Sequence, residues 1–111
     1  MENIAQSKIC RRFDSDYHPP LLTEKVGIAL ETLQLVPLNA LRTTPENGTC
    51  GWYIWGGEQF SEAADFFSPL CVEHLPQRCP DIVAYLALVP GFRVLLAPNY
   101  EDVWFDDRLN S

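Results

Sequence analysis

Seven residues, Gly-Trp-Tyr-Ile-Trp-Gly-Gly at positions 51–57, form the densest apolar run in the chain and limit what it can become. Side chains alternate along a strand, so Trp52 and Ile54 share one face while Tyr53 and Trp55 share the other. A strand apolar on both faces is either covered on both sides, or covered on one and used for binding on the other. Glycine suits its ends: Gly51 permits close entry of the chain, and Gly56 with Gly57 permits a turn needing unusual backbone angles. The expectation is a central strand against which the rest of the chain packs.

A chain of 111 residues is read as a single domain over residues 1–111 that buries roughly two-thirds of its unfolded surface. Hydrophobic residues make up 47% of it, enough for a globular core, yet no apolar run approaches the ~20 residues of a membrane helix. The first eight residues lack a basic region followed by an apolar core, so no secretory signal is read and the cytoplasm is the expected location. Without a CxxC pair, Cys10, Cys50, Cys71 and Cys79 are expected to be free thiols. The net charge of −7 is uneven: residues 1–45 carry five acids and five bases, residues 46–111 ten acids and three bases. Such a surface repels nucleic acid and anionic membranes and attracts basic proteins.

Ala5, Ile9 and Phe13 recur at four-residue intervals, which predicts an amphipathic helix over residues 3–14 that stops before Tyr17-His18-Pro19-Pro20. Strands are expected over residues 25–31 and 37–42, with Asn47-Gly48 as the turn into the central strand. Residues 58–69 read as an acidic loop carrying Phe60, Phe66 and Phe67 that folds over the sheet edge. Beyond it, Val72, Leu75, Cys79, Ile82, Val83 and Leu86 form a helical stripe interrupted by Pro76 and Pro80, which predicts two short pieces, the second starting at Pro80. Residues 92–97 and 100–105 complete the set as strands joined by a Pro98-Asn99 turn. The predicted class is α+β: an antiparallel meander of about five strands, with an N-terminal helix and a short broken helix near residues 73–88 packed on it.

Alternation in the last strand sets Tyr100, Asp102, Trp104 and Asp106 on one face, with Val103 and Phe105 toward the core. Aromatic rings beside carboxylates suit a protein-binding patch, in which a desolvated ring anchors and charges steer a basic partner. Trp55, and Glu58 just beyond its strand, complete the expected partner-binding set. The competing reading is a small metal-binding or enzymatic domain centred on Cys71, Glu73, His74 and Cys79. It lacks a fourth ligand and the usual cysteine spacing, and no metal or cofactor is expected. No P-loop, dinucleotide fingerprint, HExxH or GxSxG occurs, so no catalytic residue is assigned.

Five segments in combination, residues 25–30, 48–56, 66–75, 79–81 and 100–104, resemble the bacterial immunity proteins of the thirty-third class of polymorphic-toxin systems, and more narrowly its thirty-three-like branch. The likeness spans roughly residues 8–107. It implies a small cytoplasmic, non-catalytic protein that binds and neutralises a cognate protein toxin. It supplies no active-site residue.

Overall fold

The computed structural model describes residues 3–46, 48–59 and 65–110. Asn47 of the expected turn and Phe60 of the acidic loop lie outside these. A first helix, α1, spans Ile4–Arg12, capped by Asn3, whose side chain accepts from the Gln6 N–H at 3.0 Å. Its buried face is Gln6, Ser7, Ile9 and Cys10, so the helix is rotated from the expected stripe and Ala5 is exposed. Gln6 is buried because its amide donates to Val83 O at 2.9 Å, so the polar group stays satisfied. Asp14, in the left-handed region at φ 61, ends the helix before the two prolines.

Six strands make one sheet: β1 (Lys25–Ile28), β2 (Leu38–Arg42), β3 (Thr49–Gly56), β4 (Ser68–Cys71), β5 (Phe92–Ala97) and β6 (Tyr100–Phe105). Their spatial order is β4-β1-β3-β2-β5-β6. The sheet is antiparallel except where β1 runs parallel to β3, so the strands do not follow one another as a simple meander. β3 lies inside the sheet, its backbone edges paired by β1 on one side and β2 on the other. Residues 68–71, expected to be loop or helix entry, instead form the edge strand beside β1. The broken helix is present as a 3-10 turn at Val72–His74, α2 at Leu75–Arg78 and a 3-10 helix at Pro80–Tyr85.

Cross-strand partners share a face, so the register separates the two sides of the sheet. One row is Ile28, Ile54, Ala40, Val94 and Val103. It faces α1 and the broken helix, together with Trp52, Leu75, Ile82 and Leu86 of the main core. Trp52 is fully buried and its indole N–H donates to Leu86 O at 2.9 Å. The opposite row is Gly27, Tyr53, Leu41, Arg93 and Trp104. This side has a smaller cluster of Ala29, Leu41 and Trp55 under Tyr53, Phe66, Phe67 and Leu109. Both faces of β3 are therefore covered, one by helices and the other by a few aromatic side chains.

Candidate docking face

The smaller cluster covers only the β1–β3–β2 part of its face. Phe67 packs edge-on against Tyr53, ring centres 5.2 Å apart, and against Trp55 at 6.1 Å. Toward β6 the same face is more open among the described residues, although the C-terminal 3-10 helix Asp107–Asn110 folds back so that Leu109 packs on the cluster. Tyr100 is 55% exposed and Trp104 38%, and Asp102 between them is exposed.

Arg93 stands beside Trp104 on the same face, its guanidinium 5.7 Å from the ring centre, which fixes the indole by a cation–π contact. Its other contact is Asp106, at 3.3 Å. Asp106 also accepts from the Arg108 guanidinium at 2.9 and 3.0 Å and from the Arg108 N–H at 3.1 Å. Those Arg108 bonds, with help from Arg93, hold its carboxyl down to about 2. Asp106 is only 8% exposed. The expected steering charge is thus an internal brace, because the two arginines reach it before any partner does.

Trp55 stands on the same face and in the same row as Asn39, Leu95 and Asp102. At 5% exposed, it lies behind the surface rather than on it, since Phe67 covers it. Glu58 is exposed beyond the end of β3, at the Pro98–Asn99 end of the sheet and separated from Tyr100 by β2 and β5. Phe105 points to the helix side as alternation requires, but is 51% exposed, because it sits at the sheet edge with Phe92 as its ring neighbour at 5.4 Å. Sequence reasoning missed Arg93. The signal was present: the two-residue Pro98-Asn99 turn, with Asn99 at φ 59, sets Ala97 opposite Tyr100 and hence Arg93 opposite Trp104.

Tyr100 also forms one wall of a groove of about 720 Å³, whose other walls include Leu35, Val36, Asp81 and Pro98. At its back, Glu101 accepts a hydrogen bond from the Tyr85 hydroxyl and pairs with Arg12 at 2.6 Å. The Tyr85 bond is the chief cause that lowers the Glu101 carboxyl, while burial and that same carboxylate raise the Tyr85 hydroxyl.

The residues of the metal or enzymatic reading are spread out in character. Cys79 is buried and Cys71 half-buried, whereas Glu73 and His74 are exposed and approach each other at 3.6 Å. Burial raises the Cys79 thiol, the opposite of what a nucleophile or ligand needs. Among the described residues no group of three or more His, Cys, Asp or Glu is arranged to hold a metal ion. No helix among them is long and apolar enough to cross a membrane.

Fold and surface together define an α+β domain that presents exposed Tyr100, Asp102 and Trp104 on its last strand. The family model described as Imm33-like domain matches residues 5–106, and the chain belongs to that immunity-protein family. No curated protein and no solved structure matches it.

Proposed function

We propose that this chain is a non-catalytic immunity protein of the cytoplasm that binds a cognate toxin and neutralises it by occlusion. Trp104 is the anchor, Tyr100 flanks it, and Asp102 steers a partner of basic surface. Arg93, held by Asp106, braces the anchor from the neighbouring strand, and Glu58 adds negative charge at the far side of the sheet, across β2 and β5. The observation that carries this reading is an exposed tryptophan, held in place by an arginine, on the part of the sheet beyond the Phe66–Phe67 cluster. Holding the ring before contact lowers the ordering cost of binding, as suits an anchor.

The test is binding of a cognate toxin domain, sought first among the genes neighbouring this one. Trp104→Ala is expected to weaken it by more than about 2 kcal/mol, roughly 30-fold, while circular dichroism and thermal midpoint stay close to those of the parent. Unchanged affinity removes this face from the contact.

A further inference from the structure

β4 and β6 are the two ends of the sheet, and the ends differ. β4 is four residues long and carries Pro69, which has no N–H to offer another strand. β6 runs for six residues with neither proline nor lysine, two common devices that blunt a sheet edge. Which of its groups point outward follows from the ladder. In antiparallel pairing, alternate residues direct their N–H and C=O to the same neighbour. The Asp106 N–H donates to Gly91 O at 2.7 Å, on the β5 side. Counting back by twos, Tyr100, Asp102 and Trp104 turn their backbone groups toward β5, and Glu101, Val103 and Phe105 turn theirs out of the sheet. Among the described residues, no strand pairs with that outer edge.

We propose that β6 is a strand-addition site, along which the toxin lays an extended basic segment as the next strand of the sheet. This rests on the immunity reading above and specifies how the contact is made. Charge decides the occupant. Among the described residues Asp102 has no ion-pair partner, and it faces the open side, whereas Val103 and Phe105 face the other. An added strand sets its own alternate side chains against these. It therefore carries lysine or arginine on the side of Asp102 and apolar residues on the side of Val103 and Phe105. The edge is already held in shape, because Glu101 ties β6 to α1 through Arg12 and to the broken helix through Tyr85. A second copy of the chain is a worse occupant, since two molecules of net charge −7 repel.

The experiment uses an inactivated form of the cognate toxin domain and two variants at one position. Phe105→Ala removes the ring and keeps the outward N–H; Phe105→Pro removes the N–H as well and leaves the β5–β6 ladder intact. Phe105→Pro is expected to bind roughly tenfold more weakly than Phe105→Ala, the effect of one lost backbone hydrogen bond. Equal affinities overturn strand addition and leave the immunity reading standing; failure of the parent chain to bind overturns both. Amide exchange on the unsubstituted chain gives a readout that no folding defect can blur. In the free protein the amides of Glu101, Val103 and Phe105 are expected to exchange faster than those of Tyr100, Asp102 and Trp104, and in the complex to become protected. Exchange that stays fast at those three positions in a formed complex overturns the proposal.

Discussion

Asp106 carries a negative charge that its own neighbours neutralise. Its folded carboxyl titrates at about 2 against an ordinary 3.8, chiefly through the Arg108 hydrogen bonds. A depressed folded value means that the ion pairs stabilise fully above the ordinary value and are lost as pH falls through the folded one. Asp106→Asn is therefore expected to lower the urea midpoint at about pH 5, and the gap from the parent is expected to close as pH falls toward about 2. A gap that stays constant over that range argues that the carboxylate does not hold the 3-10 helix Asp107–Asn110. Arg42 poses the reverse problem, a cation only 1% exposed that is met by carbonyls. Its Nε donates to Cys50 O at 3.0 Å, and Nη1 reaches His18 O, Leu86 O and Leu88 O at 2.8, 3.1 and 2.7 Å. Burial lowers its pKa, yet the planar fork joins β2, β3, the segment before β1 and the segment after the broken helix. Arg42→Met leaves those carbonyls short of donors and is expected to cost on the order of 3 kcal/mol in chemical denaturation. Nothing local in Leu-Arg-Thr distinguishes this arginine from a surface one. Only the assembled fold gathers its four partners, which is why the sequence did not single it out.

Elements whose signal is local were legible. β5 and β6 were expected over residues 92–97 and 100–105, and that is where they lie, because alternation and the Pro98-Asn99 turn are both contained within a few residues. Alternation alone also puts Tyr100, Asp102 and Trp104 together on one face of β6, but which face the helices cover depends on packing between distant segments and was not legible. β4 was missed because Ser-Pro-Leu-Cys is short and carries a proline, features that count against a strand unless it lies at an edge. The parallel pairing of β1 with β3 was missed because it joins Gly27 to Tyr53 with β2 between them in the sequence, and no local pattern encodes that. Gly51 is an element-scale requirement the sequence did suggest. It sits at φ +94, and a Cβ there would come within 2.1 Å of Thr43 O, in backbone held by the 2.9 Å bond from Thr43 N–H to Gly51 O. Neither side gives way cheaply. Gly51→Ala is expected to destabilise the fold by roughly 2–3 kcal/mol in thermal or urea unfolding. A loss below about 0.5 kcal/mol argues that β2 and β3 can separate at this end without consequence.

Over the whole molecule, what matters is which acids remain unanswered. Residues 46–111 contain ten acids and three bases, and two of those bases, Arg93 and Arg108, bind the single carboxylate of Asp106. Glu101 takes Arg12 from the N-terminal helix. The excess negative charge of this half is thus carried by groups such as Asp102, beside the anchor, rather than by Asp106, which the sequence alone placed on equal terms with it. Long-range attraction depends on net unpaired charge and decays over about 10 Å at 0.1 M salt. Asp102→Asn is therefore expected to slow association with a basic toxin by about two- to five-fold at low ionic strength and to flatten the salt dependence of the rate, with little change in dissociation. Asp106→Asn removes the same formal charge but takes a carboxylate partner from both Arg93 and Arg108, so it affects both stability and the local field. Stopped-flow association at several salt concentrations separates the two substitutions. If Asp102→Asn leaves both rate and salt slope unchanged, the partner approaches some other part of this acidic surface, and the open face owes its affinity to the rings alone.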